Sequence, residues 1–247
     1  MKFSAAVVQS EISGMAAPTL YMIPGKIADG DSARFFSDLW KEDIRHLRHF
    51  LAEDIRTARQ FLSSLKTFPD IGELSFQVLS RETPADSITE LMRPMEAGHD
   101  MGVLSESGCP GIADPGALAV AYAHHKGYKV RPLTGPSSIV LALMASGFNG
   151  QQFSFNGYLP IDRKELTAAI RKFERISKEY GSAQLFIESP HRNQRLQEAM
   201  IQTLAPSTRL CIALDLTGSS ERIVSKPVAA WSTIDLPKMP CIFLFQA

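Results

Sequence analysis

Apolar and polar positions along the chain fall into short blocks whose period switches repeatedly. Thr19–Pro24 is a compact apolar run that stops at Gly25-Lys26-Ile27, as a buried strand closed by a turn would. From Ser32 to Leu65 the pattern is helical throughout, but an uncapped helix of that length does not suit a globular domain. The stretch is expected to break into a helix Ala33–His46, a strand Arg48–Ala52 and a helix Ile55–Leu65 capped by Asp54. Ser75–Leu79 reads as a third strand, and Ser87–Glu96 as a helix closed by Gly98. Met101–Leu104 and Tyr128–Leu133 are the fourth and fifth strands, separated by a helix Ala117–His125. An apolar helix Ile139–Ser146, stopped by Gly147, follows Thr134-Gly-Pro-Ser-Ser138.

The second half continues in the same rhythm: strand Phe153–Tyr158, helix Arg163–Tyr180, strand Ala183–Ile187, helix Asn193–Leu204, strand Leu210–Leu214 and a last strand Cys241–Phe245. Ile223–Trp231 gives no clear signal. Strand–helix alternation of this kind specifies an α/β fold with mostly parallel or mixed sheets. With 247 residues, 45% of them hydrophobic, the chain can bury two such domains. The expected division is an N-terminal extension over 1–18, with Met15 a conceivable start, then α/β domains over 19–136 and 137–247.

Composition narrows the function classes. Lys and Arg balance Asp and Glu at 26 each, so no global charge draws the chain to nucleic acid or an anionic membrane. A local exception is the segment 163–195, with eight Lys or Arg against four Glu; it reads as an RNA-facing stripe or as a solvated helix face. Cys109, Cys211 and Cys241 are odd in number and widely spaced, which fits reduced thiols in the cytoplasm and no metal site. No apolar run approaches the ~20 residues that span a bilayer, and Ala5–Val8 falls short of the ~7 residues of a signal-peptide core.

Two loops carry the candidate chemistry. Ser105–Gly116 spends three glycines and two prolines between a strand and a helix, and Thr134–Ser138 delivers two serines to a helix N-terminus. Glycine lets main-chain atoms approach a ligand, and a helix N-terminus offers free N–H groups. A nucleoside-like cofactor or two ordinary strand-to-helix turns would both explain them. The P-loop, GxGxxG, HExxH and GxSxG patterns are all missing.

The motifs LYMIP at 20–24, FLAEDIRTARQFL at 50–62, SESGCPGIADPG at 105–116, PLTGPSSIVLALMASG at 132–147, FSFNGYLP at 153–160 and FIESPHR at 186–192 occur in a telling order. The chain resembles the tetrapyrrole methylase superfamily of S-adenosylmethionine-dependent methyltransferases. It is most similar to the branch that methylates the 2′-hydroxyl of a ribose in small-subunit ribosomal RNA. The resemblance implies two α/β domains with the cofactor in a cleft between them, and a cytoplasmic homodimer acting on ribosomal RNA or the small-subunit particle. It implies donor contacts from Pro24, Ser107, Gly108, Cys109, Pro110, Ser137, Ser138, Glu188, Leu216 and Cys241. Arg56, Asp114, His191 and Arg192 match positions on the acceptor side.

Methyl transfer to a ribose hydroxyl benefits from a general base, and Glu53 or Asp54 is the candidate, although Asp54 suits a helix cap better. Arg192 suits either a phosphate or a bridge to Glu188. The sequence departs from the branch at several points: Pro24-Gly-Lys-Ile-Ala-Asp-Gly30 stands for Pro-x-x-Ile-Gly-Asn-Leu, Glu106 for an Asp, Cys109 for a Thr, and Leu214-Asp215-Leu216 for Arg-Glu-Leu. A tetrapyrrole or other small acceptor, or a cofactor-binding homologue without activity, are the competing readings.

Overall fold

The structure is a computed structural model that describes residues 17–29 and 34–247. The expected extension therefore lies outside the described residues except for its last two, as do Met15 and the expected helix start at Ala33. The chain divides into two compact units, one running up to Lys26 and from Asp31 to Pro136, the other made of Ile27–Gly30 and Ser137–Ala247.

The first unit holds five parallel strands, β1 (Thr19–Ile23), β2 (His49–Ala52), β3 (Ser75–Val78), β4 (Met101–Leu104) and β5 (Lys129–Pro132), in the order β3-β2-β4-β1-β5. Strands β1, β2 and β4 are buried nearly throughout, as parallel strands covered on both faces must be. Alternation along β1 divides the core. Tyr21 and Ile23 pack with Trp40 and Ile44 of α1 (Asp38–Ile44) and Ala58 and Leu62 of α2 (Ile55–Leu65). Leu20 and Met22 pack on the other face with Ile88 of α3 (Ile88–Leu91), Met95 of α4 (Arg93–Glu96), and Ala119, Tyr122 and Ala123 of α5 (Ala117–His125).

Two helices of this unit differ from the sequence expectation. Helix α1 begins at Asp38 because Ser37 caps it, its side chain accepting from the Trp40 N–H at 3.3 Å. The helix expected over 87–96 is broken at Met92 into α3 and α4, because Pro94 lacks the N–H that would bond the Glu90 carbonyl and its ring crowds that carbonyl. Helix α2 matches, with Asp54 accepting from the Thr57 N–H at 2.6 Å.

In the second unit β6 (Phe153–Phe155) runs parallel to β7 (Ala183–Glu188), and β8 (Arg209–Leu214), β9 (Arg222–Pro227) and β10 (Cys241–Gln246) complete an otherwise antiparallel sheet ordered β6-β7-β10-β8-β9. Strand β6 stops at Phe155, short of the expected Tyr158. The segment without a sequence signal supplies β9, an edge strand whose side chains stay half-exposed and so lack an apolar rhythm. Helix α6 (Ser138–Ser146) covers one face through Ile139, Ala142 and Leu143. Helices α7 (Arg163–Tyr180) and α8 (Asn193–Thr203) cover the other through Leu166, Ile170, Leu196 and Met200, against Phe186, Phe243 and Phe245.

Candidate functional site

In the first sheet the strand order reverses between β4 and its neighbour β1. The chain leaves β1 toward β2 over one face and leaves β4 toward β5 over the other, which is where open parallel sheets take ligands, at the carboxyl ends of the strands. Three loops meet there. The Gly25 N–H donates to the Gly108 carbonyl at 2.8 Å, joining the turn after β1 to the loop after β4. A Cβ on Gly25 would come within 2.5 Å of the Ser105 carbonyl oxygen, and one on Gly135 would overlap the Pro24 ring. Both positions therefore need glycine so that the main chains can close on one another. The thiol of Cys109 points to the Pro136 carbonyl at 3.6 Å, and the Trp40 indole N–H holds the Thr134 carbonyl at 2.9 Å.

The loop after β4 is also braced from within. Ser105 donates to the Asp114 carboxylate while its hydroxyl accepts from the Ser107 N–H at 3.2 Å. Gly111 N–H bonds the Pro115 carbonyl at 3.0 Å, and the Arg81 guanidinium donates to the Ala113 carbonyl. Ala113 adopts φ of +60°, a left-handed conformation uncommon for a residue with a Cβ. Bracing on the inner side leaves Glu106 and Ser107 exposed at the tip.

Electrostatically this edge is acidic. Partial desolvation by the loop pushes the carboxyl of the exposed Glu106 above its usual range, and the negative fields of Glu53, Asp114 and Asp54 add to the effect. Asp54 moves the other way, because the Thr57 N–H hydrogen-bonds its charged form. Burial raises the Cys109 thiol, so it sits in the loop as a neutral group.

The second unit gathers its own set at one end of its sheet. Register pairs Cys241, the first residue of β10, with Glu188 on one side and Leu214 on the other. Leu216 follows in a tight turn between two left-handed residues, Asp215 at φ +48° and Thr217 at φ +70°. The turn is tied by Asp215, whose carboxylate accepts from the Ser220 N–H at 2.9 Å and whose own N–H reaches the Pro240 carbonyl at 3.0 Å. Strain at a β-branched threonine is tolerated when its surroundings over-determine it, and such positions cluster at binding sites.

Helix α6 points its N-terminus at this same end. Its last turn lies at the opposite end, where Ser225 donates to the Ser146 carbonyl at 2.7 Å and Arg209 to the Gly147 carbonyl at 3.1 Å. Nine residues at ~1.5 Å each carry the helix back about 13 Å, so that Ile139 packs in one cluster with Leu216. Ser137 is the N-cap, accepting from the Val140 N–H at 3.4 Å. Glu188 is buried and paired with Arg192 at 2.9 Å, and it also accepts from the Ser189 N–H at 2.7 Å. Arg192 further donates to the Leu159 and Pro160 carbonyls, while its buried Nε finds no partner.

No protein-family model matches the chain. The ribosomal RNA small subunit methyltransferase I of Vibrio cholerae serotype O1 is 30% identical over 221 residues, spanning 86% of this chain and 70% of that protein. The chain belongs to the ribosomal RNA small subunit methyltransferase I family. Its fold is that of the methyltransferase CobJ, with a TM-score of 0.60 at 16% identity over 94% of this chain and 95% of the other. The cobalt precorrin-4 methyltransferase CbiF aligns over 92% of this chain and 94% of its own at a TM-score of 0.56 and 12% identity.

For a methyltransferase of this family, the sequence-derived residues fall into two groups. In the first unit Pro24, Ser107, Gly108, Cys109, Pro110 and Asp114 meet at the carboxyl edge, with Glu53 following β2, the strand beside β4. In the second, Ser137, Ser138, Glu188, Leu216 and Cys241 share one end of the sheet. Arg192 bridges to Glu188, whereas His191 and Arg56 are exposed.

Sequence reasoning noticed Glu106 only as a departure from the family pattern; its position beside Glu53 and Asp114 needed the strand order. Gly135 and Trp40, which lock the loop after β5, were also missed, although the Gly-Pro pair was a visible signal. Among the described residues no group of three or more His, Cys, Asp or Glu is arranged to hold a metal ion, and no helix is long and apolar enough to cross a membrane.

Proposed function

We propose that the chain methylates the 2′-hydroxyl of a ribose in small-subunit ribosomal RNA, with S-adenosylmethionine as donor. The observation that carries this reading is the interlock of the loops after β1, β4 and β5, closed at Gly25 and Gly135, which gathers their main chains at the sheet's reversal point. The donor's contacts are proposed as two sets, one in each unit. In the first, Pro24 and Ser107–Pro110 offer backbone groups. In the second, Ser137 and Ser138 offer free N–H groups at a helix start, suited to a carboxylate, beside Glu188, Leu216 and Cys241.

When bound, the donor supplies a methyl carbon activated by a positively charged sulfur. Glu106 and the three carboxylates around it set a negative field that suits such a cation. Loops braced as described hold their main chain still, which is the positioning that an in-line displacement requires. Asp54 is committed as a helix cap, so Glu53 is the better candidate to take the hydroxyl proton. Arg56, Asp114, His191 and Arg192 remain the proposed acceptor-side residues.

The reading extends to a cytoplasmic homodimer. Val140 and Met144, one turn apart on α6 and 48% and 74% exposed, form an apolar stripe that supports burial against a second copy. Light scattering of the purified protein should give twice the chain mass; a monomer at micromolar concentration removes this part.

The function is tested by offering labelled donor with small-subunit particles, naked ribosomal RNA and a tetrapyrrole in parallel. Label in the RNA, released as a 2′-O-methyl nucleoside, is the expected result. Label in the tetrapyrrole alone, or in nothing, overturns the proposal in favour of a small acceptor or of a cofactor-binding homologue without activity.

A further inference from the structure

We propose that the outer face of α7 is a docking surface for a nucleic-acid phosphate backbone; that this nucleic acid is the ribosomal substrate rests on the function proposed above. Arg163, Lys164, Arg171, Lys172, Arg175 and Lys178 are all exposed on this helix. Among the described residues none of them has a carboxylate within 4.0 Å. Lys164, Arg171, Arg175 and Lys178 follow one another at intervals of seven, four and three. At 3.6 residues per turn they form one row, within a sector of about 60° and about 21 Å long. A strand with one phosphate every ~3.4 Å presents about six phosphates over that length.

The row is kept free of acids by the fold. Glu174 would neutralise Arg171 or Lys178 across one turn, but its carboxylate turns inward, accepting from the Ala205 N–H at 2.7 Å and the Thr208 hydroxyl at 2.5 Å. Glu165 sits to one side of the row on the helical circuit, and Glu179, one turn on from Arg175, makes no ion pair with it. The positions between its first two members, Thr167 and Ala168, are small and let a backbone lie close. No large apolar side chain flanks the row there, which separates it from a membrane-docking helix. In a chain with no net charge, this concentration of unpaired cations is a local feature against an acidic cluster elsewhere. Nucleic acid is therefore the partner that fits.

The test replaces the row by neutral, helix-compatible side chains in Lys164→Gln/Arg171→Gln/Arg175→Gln/Lys178→Gln, with unchanged circular dichroism and Tm as the check on folding. Binding of a small-subunit ribosomal RNA fragment is measured from 50 to 200 mM salt. The parent's plot of log K against log salt should be steeper than the variant's by about 3, and variant affinity near 0.1 M should be at least tenfold lower. Donor titration heats should stay the same. The charge-preserving variant Lys164→Arg/Arg171→Lys/Arg175→Lys/Lys178→Arg should keep the parent's slope.

Equal slopes and affinities for parent and neutral variant overturn the proposal, as does a parent with no RNA affinity. So does capture by phosphatidylserine vesicles that matches the RNA affinity and is lost with the same four residues. A parent that binds RNA with the steep slope but transfers no methyl sinks the function and leaves the surface standing. A neutral variant that methylates particles with unchanged KM does the reverse.

Discussion

Gly135 has no room for a methyl group, because the Pro24 ring occupies the space a Cβ would take. At Gly25 the obstacle is a backbone carbonyl, which cannot rotate aside. Gly25→Ala and Gly135→Ala should each destabilise the first unit by about 1–3 kcal/mol, the usual range for overpacking, read as a lower urea midpoint at unchanged m-value. Carboxylates at the same edge give a pH test. The Glu106 carboxyl is held above its usual value in the folded state, so folding stability falls as pH rises from the unfolded value of ~4.3 through the raised one. Glu106→Gln should therefore be more stable than the parent above that window and equal to it below. Since Glu106 is largely exposed, the gain stays under ~1 kcal/mol. Asp54 acts in the opposite sense: its lowered carboxyl stabilises the fold above the unfolded value of ~3.9, and that stability is lost as pH falls through the folded value.

At the scale of elements, the turn from β7 into α8 is held by one buried ion pair. Glu188 keeps 1% of its side chain exposed and Arg192 25%. Replacing Glu188 with Gln keeps the shape and an acceptor for the Ser189 N–H but leaves the guanidinium without its counter-charge. A loss of about 2–3 kcal/mol is expected in chemical denaturation, below the ~3–5 of a fully buried pair because Arg192 reaches water. A loss under 0.5 kcal/mol would make the pair incidental.

The elements themselves were legible in the chain to very different degrees. Asp54 announced α2, and Gly147 closed α6, because capping is local chemistry written in one or two residues. Pro94 should have announced the break between α3 and α4; the surrounding apolar period outweighed it. Strand β9 had no rhythm to read, since an edge strand half-open on both faces needs none.

At the scale of the whole chain, the α/β class followed from alternation alone, while the strand order did not. Order decides which loops become neighbours, and so the meeting of Pro24, Gly108 and Gly135, or of Glu53 with Glu106, is a tertiary fact. The candidate donor residues were found through the resemblance, which carries tertiary information that spacing lacks. Charge behaves likewise: 26 cations and 26 anions sum to nothing, yet the fold separates an acidic sheet edge in one unit from a basic helix face in the other.

All of these features matter for function only if the interlocked loops grip a methyl donor. Titration calorimetry of the purified protein with S-adenosylmethionine is the most direct measurement. Saturable heat with one site per chain is expected, reduced at least tenfold in affinity by Gly25→Ala. No heat on addition of the donor to a folded parent protein would contradict it.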